Sequence, residues 1–245
     1  MQLTYNANMT PAIAGTLYDL SGRVIDSFVV ETDSVYPGYG VVGGTADDQV
    51  KLPAAVVTTF KGIALLQAKE QNAAGPVVFG DEDTVPVVTK GRVWVPVTAA
   101  VAKDAQAFLI HTGATAGKWA ASAGLSAASA AKAGGNAADT GALTLNATTP
   151  ILAGAKVGVY AVRCITAASN GGTFRVSDPD GYVLGDVAVG ATFANDIKFA
   201  IADGSQDFIV GEGFDITVSS TATAIAGAKF KTSTTGAGIA VVELN

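Results

Sequence analysis

The chain has 245 residues, 49% of them hydrophobic and 7% aromatic, with a formal net charge of -6 and one cysteine. Its lysines and arginines are scattered singly, so it lacks the clustered positive charge that nucleic-acid binding requires, and one cysteine permits no internal disulfide. The longest apolar run, residues 52–66, is broken by Pro53, Thr58, Thr59 and Lys61 and falls short of the ~20 residues of a membrane-spanning helix.

Taken in chain order, residues 1–10 carry neither a basic start nor an apolar stretch and do not read as a signal peptide. A soluble protein, not exported by a standard route, is expected. Leu3, Tyr5, Met9 and Ile13 are spaced among small residues; they suit an arm laid across a neighbour, with a frayed terminus as the alternative. Strand signals follow at 24–32, 50–52, 62–68, 85–88, 92–97 and 107–111. Pro37-Gly38, Ala74-Gly75-Pro76, Gly80-Asp81 and Lys90-Gly91 mark turns between them. Pro86 and Pro96 lie inside strand-like runs and predict edge strands or strand ends, since proline cannot donate to a ladder. Residues 99–104 fit either one helical turn or a loop.

Residues 123–141 are mostly Ala, Gly and Ser and read as a flexible linker, with a short helix at 127–133 as the alternative. Beyond it, strand candidates recur at 143–146, 158–165, 173–177, 182–187, 196–201 and 214–218, a spacing that suggests a sandwich. Its core is expected from Leu143, Leu145, Val159, Val162, Phe174, Val176, Val183, Phe199, Ile201, Phe208, Ile216 and Val218. The acidic excess of this region suits a solvated outer domain. Segments 228–233 and 238–244 then return to the style of the first zone. The fold expected is all-β: a barrel from residues 1–122 plus 220–245, with an inserted Ig-like β-sandwich at 142–219.

Candidate chemistry is thin. Gly38-Tyr-Gly-Val-Val-Gly43 has the G-x-G-x-x-G spacing, but no amphipathic helix follows to hold a pyrophosphate; a glycine-rich loop is the better reading. Asp178-Pro-Asp-Gly181 lacks the remaining oxygen ligands of a calcium loop and reads as a type I turn joining two strands. His111 is the only histidine and has no evident nucleophile beside it, so an exposed strand end is expected. Cys164 lies in an alternating run and reads as an inert core residue. Asp47, Asp48, Asp81, Glu82 and Asp83 fall in turn-like segments and read as solvated loops. No catalytic, cofactor-binding or metal-binding residues are therefore assigned.

Gly44-Thr-Ala-Asp-Asp-Gln-Val-Lys-Leu-Pro53, Phe60-Lys-Gly-Ile-Ala-Leu65, Gln67-Ala-Lys-Glu-Gln71, Lys90-Gly-Arg-Val-Trp-Val95, Ile225-Ala-Gly-Ala-Lys-Phe-Lys-Thr-Ser233 and Ile239-Ala-Val-Val242 resemble the tailed-phage head cement, or decoration, family. The resemblance covers residues 1–122 and 220–245, and 142–218 resemble a β-sandwich module appended to some phage decoration proteins. It implies a β-tulip-like barrel that binds the major capsid protein lattice on the outer face of the virion and reinforces it without catalysis. It also implies synthesis in the host cytoplasm and a homotrimer, with a homodimer as the alternative. Leu3, Tyr5, Met9, Ile13, Tyr36 and Tyr39 are the interface candidates. Two other readings stay open here: a tail or baseplate component, and a carbohydrate-binding adhesin module in which the insert touches a host surface or glycan.

Overall fold

The computed structural model describes residues 13–20, 22–67, 77–136 and 141–245. The expected turn at Ala74-Gly75-Pro76 lies outside them. The chain divides into two compact units, Met1–Gly124 with Thr221–Asn245, and Leu125–Ser220. The strands of the first part are β1 (Val24–Val30), β2 (Gly40–Gly43), β3 (Gln49–Lys51), β4 (Phe60–Ala64), β5 (Thr84–Val97), β6 (Gln106–Ile110) and β7 (Trp119–Ala120). The second unit holds β8 (Leu125–Ala131), β9 (Ala142–Leu145), β10 (Gly158–Ala168), β11 (Gly171–Ser177), β12 (Val183–Ala188), β13 (Thr192–Ala194), β14 (Lys198–Ala202) and β15 (Gly213–Ser220). The chain then rejoins the first unit through β16 (Ala222–Phe230) and β17 (Gly238–Leu244).

Two closed rings of strands share β5, which runs for 14 residues. Its first half pairs with β1 and β4, and the order β1-β3-β2-β4-β5 returns to β1. Its second half pairs with β17, and β17-β16-β6-β7 returns to β5 through Val97 and Trp119. Five-strand rings have narrow interiors, because barrel diameter grows with strand number; hence the bias toward Val and Ala. Val30, Val50, Val41, Ala64, Val85 and Val87 fill the first ring. Val93, Val95, Val242, Ala240, Phe230, Ile225, Leu109 and Trp119 fill the second. Each such large apolar side chain contributes roughly 1.5–3 kcal/mol when fully buried.

Continuity of β5 corrects the turn expected at Lys90-Gly91. The strand does not stop there; its partner changes from β1, which reaches Lys90, to β17, which begins at Gly91. Pro86 and Pro96 lie near the two ends of β5, as its third and next-to-last residues, which fits the strand-end reading and not the edge-strand one. Each sits where one flanking ladder ends. Trp94 N donates to Thr16 O, and Trp94 O and Arg92 O accept from Gly15 N and Tyr18 N; the next residue of the same parity, Pro96, has no N–H to offer. Pro86 accepts from Leu65 N just past the end of β4. The glycine-rich loop expected at 38–43 is in part strand β2, whose Gly40 lies where a Cβ would strike Leu109. Residues 99–104 form a loop, bridged to the chain by Val101 and Thr234.

The second unit stacks a five-stranded sheet, β12-β11-β10-β15-β8, on a three-stranded sheet, β13-β14-β9. Tyr160, Val162, Cys164, Phe174, Val176, Phe199, Ile201, Phe208, Ile216 and Val218 form its core, with Phe208 set edge-on to Phe174 at 4.8 Å. Two expected core residues point outward: Val159 and Val183 are 48% and 58% exposed. In β10 the inward set is Tyr160, Val162 and Cys164, so Val159 has the wrong parity; in β12 the buried residue is Val187. The tract expected as linker or helix is neither in its first part. Residues 125–131 are β8, paired along their whole length with β15. Backbone hydrogen bonds to a strong neighbour decide a segment whose side chains carry little information.

Candidate functional site

The first unit carries a groove of about 400 Å³ lined by Ile13, Ala14, Tyr36, Pro37, Tyr39, Leu66, Val77, Pro96 and Lys118. Its floor is a close crossing of two loops. Gly15 N donates to Trp94 O at 2.7 Å, Leu66 N to Gly15 O at 2.8 Å, and Gly38 N to Ala64 O at 2.7 Å. Gly15 and Gly38 both have positive φ, 82° and 83°. A Cβ on Gly15 would lie 2.5 Å from Pro37 Cβ, and one on Gly38 2.9 Å from Pro96 Cδ. Only glycine permits this approach, and it sets the two prolines side by side in the wall. Trp119 Nε1 donates to Gly38 O at 3.2 Å and anchors the crossing to the second ring.

Tyr36 and Tyr39 pack with ring centroids 5.3 Å apart. Burial, reinforced by Tyr36 beside it, pushes the Tyr39 hydroxyl above its ordinary range, so it stays neutral. Among the described residues, the lining offers apolar surface, phenol hydroxyls and one cation, Lys118, and no carboxylate or imidazole. Such a surface suits adhesion: aromatic anchors in a concave apolar setting are where binding energy concentrates. Among the described residues, no three of His, Cys, Asp and Glu gather as a metal site.

The structure brings Ile13, Tyr36 and Tyr39 into this one groove; Leu3, Tyr5 and Met9 lie outside the described residues. Pro37 and Pro96 were legible only as markers of turn and strand end, and their meeting depends on the Gly15–Gly38 crossing. His111 departs from expectation. It is buried, 2% exposed, and among the described residues neither ring nitrogen has a hydrogen-bond partner. Its backbone N–H donates to Thr221 O at 2.9 Å, so a segment distant in sequence borders what looked like a free strand end. Burial lowers its pKa, offset in part by its own carbonyl. Cys164 is buried, and burial pushes its thiol up, which suppresses the thiolate. The Asp178-Pro-Asp-Gly181 turn closes as expected: Gly181 N donates to Asp178 O, and Asp178 Oδ1 accepts from Asp180 N and Tyr182 N. Lys156 Nζ occupies the other carboxylate oxygen at 2.6 Å, so an ammonium holds the place a calcium ion would need.

The family model described as "Structural cement protein (E217 gp24/Pam3 gp6)" matches residues 1–177. The chain belongs to this family. As a phage cement protein it has a structural, capsid-stabilising role and is a component of the virion. The match runs past the first unit into the second, through residues 123–177 that lie outside the resemblance at 1–122 and 220–245, and it ends before β12. A solved chain titled "The capsid of Myoviridae Phage XM1" aligns over 100% of this chain and 98% of its own, at 15% identity and a TM-score of 0.47. No curated protein matches the cement chain.

Proposed function

We propose that this cement protein is made in the host cytoplasm and binds the outer face of the assembled major-capsid lattice. It does so as a homo-oligomer, with the Tyr36–Tyr39 groove as its apolar anchor. The convergence of Ile13, Tyr36 and Tyr39 carries this reading. These three residues line one concave, mainly apolar surface. A net charge of -6 supports the outer face, since packaged nucleic acid repels an acidic protein. Leu3, Tyr5 and Met9 extend the contact as an arm over a neighbouring subunit. Repetition over the lattice turns modest individual contacts into a stable shell. Trimers at three-fold or quasi-three-fold sites are the expected assembly, dimers at two-fold sites the alternative. Catalysis has no part in this reading.

Phage heads lacking the protein, re-decorated with purified chain and assayed by co-sedimentation and by heat release of DNA, provide the test. Replacing both tyrosines, Tyr36→Lys with Tyr39→Lys, is expected to weaken decoration on the order of 30-fold or more, the cost of losing a buried aromatic anchor. A double variant that melts like the wild type and still decorates heads with undiminished affinity overturns the groove's role.

A further inference from the structure

The groove of the first unit holds one charge that no described side chain answers. Lys118 is half-buried in its lining, and among the described residues its Nζ has neither an ion pair nor a hydrogen bond. By contrast Lys51 meets Glu31, Lys156 meets Asp178 and Asp180, and Lys231 meets Asp104 and Glu243. The backbone fixes where Lys118 stands. Its N–H donates to Thr115 O at 3.0 Å, its carbonyl accepts from Ile110 N at 2.9 Å, and Gly40 N donates to Gly117 O at 2.8 Å. Gly117 has a φ of 86°, and a Cβ there would lie 2.6 Å from Tyr39 Cδ2. The missing side chain lets this backbone lie against the Tyr39 ring, so the lysine enters the lining next to that phenol.

A lone cation in a mainly apolar concavity restricts what can cover it. A segment that fills the groove takes water from the ammonium, and a charge desolvated without a partner opposes binding. A segment that brings an anion turns the same cost into a charge-assisted hydrogen bond. The neighbouring phenol does not supply the charge, because burial keeps the Tyr39 hydroxyl neutral. One ammonium balances the single charge of a carboxylate; a phosphate, at about -1.5 to -2, stays under-compensated. The chain as a whole carries -6 and repels an acidic partner at long range. Lys118 therefore marks the place where such a partner lands.

We propose that the occupant of the groove is a surface segment of the major capsid protein that presents an Asp or Glu beside an apolar side chain. The carboxylate pairs with Lys118 Nζ, and the apolar side chain packs against Tyr36 and Tyr39. The partner's chemistry rests on the capsid-binding reading of this groove. The tyrosines supply contact area and Lys118 supplies choice. A segment with Lys or Arg at that point meets like charge, and an uncharged one leaves the ammonium desolvated. Such a pair governs specificity and encounter rate more than total affinity.

Heads lacking the protein, decorated with the full-length chain and treated with a water-soluble carbodiimide, test the pair directly. The reagent activates a carboxylate as an O-acylisourea, the Lys118 amine attacks its carbonyl, and an amide forms as the reagent leaves as its urea. Mass spectrometry is expected to find Lys118 joined to an Asp or Glu of the major capsid protein. Lys118→Arg keeps the charge and does not couple; it is expected to lose that cross-link and to decorate heads within about threefold of the wild type. Lys118→Met keeps the stem and is expected to bind heads on the order of tenfold more weakly, with a shallower dependence on salt. Undiminished or tighter decoration by Lys118→Met overturns the carboxylate partner. So does a decorated head that yields no cross-link at Lys118, or one in which Lys118 is joined to its own chain or to a second copy. The chain carrying Tyr36→Lys with Tyr39→Lys, in the same assay, separates the two readings. If it fails to decorate while Lys118→Met binds normally, the groove stands and the carboxylate falls; if both decorate normally, the groove falls with it.

Discussion

His111 shows what a single residue does when no described side chain answers its polarity. A buried polar ring left unsatisfied costs about 1–3 kcal/mol, and its protonated form costs more. The folded imidazole therefore titrates below its ordinary value of 6.5. The unfolded chain takes up the proton first, so stability is complete above about 6.5 and declines as the pH falls below it. Glu31, Asp178, Asp186 and Glu243 have lowered pKa values through their hydrogen-bonded partners. Their contributions survive until the pH drops below the ordinary carboxylate range, about 4. Between pH 6.5 and 5 the slope of melting temperature against pH thus belongs to His111. His111→Leu is expected to flatten that slope and to raise stability at neutral pH by about 1 kcal/mol. A slope unchanged in the variant would show that another group titrates. Cys164 was readable because its neighbours alternate; His111 was not, because Thr221 comes from the far side of the insert.

At the level of elements, strands with alternating large apolar residues were legible and the rest were not. The runs at 173–177, 196–201 and 214–218 became β11, β14 and β15 with small boundary shifts. β2, β8 and β13 escaped notice: their residues are Gly, Ala, Ser or too few, and their pairing is dictated by partners. The split of β5 into two candidates had the same origin. Gly91 and the prolines resemble punctuation, yet each serves a strand that exchanges neighbours. β7 is the extreme case, 2 residues long and still the closure of the second ring. Its Trp119 is fully buried, meets Phe60 edge-on at 6.0 Å and donates to Gly38. Trp119→Ala is expected to cost about 3–5 kcal/mol, read as a lower urea midpoint. It also frees the Gly38 crossing, so decoration of heads falls with stability. Trp119→Phe, which keeps the ring and loses the N–H, separates packing from the hydrogen bond. Of the candidate site, Tyr36, Tyr39 and Ile13 were nameable as aromatic and apolar residues in turn-rich sequence. Their meeting was not, because it depends on two glycines from separate loops.

For the whole molecule, the points where the insert leaves and rejoins are adjacent. Thr221 N donates to Ala123 O at 3.0 Å, and Thr221 Oγ1 to Gly124 O at 3.2 Å. Inside the insert its first and last strands pair end to end, Leu125 opposite Ser220. Each unit therefore has closed ends and its own core, the conditions for independent folding. Calorimetry of the full chain is expected to show two transitions. A chain with Leu125–Ser220 replaced by a short Gly-Ser loop should retain one of them and still decorate heads, while the isolated insert should retain the other. A single transition in the full chain that neither fragment reproduces would show that the two units fold only together.

The strand common to both rings has a mechanical consequence. A strand peeled sideways from its neighbour fails like a zipper, one hydrogen bond at a time. β5 has hydrogen-bonded neighbours on both sides over much of its length and lies within two closed circuits. Tension along it is met by many bonds at once, in shear, and the single-pair closure at Val97 and Trp119 is the thinnest point of the second circuit. Single-molecule pulling on the barrel should accordingly record one abrupt, high-force rupture in place of a staircase, the response suited to a part that stabilises a capsid.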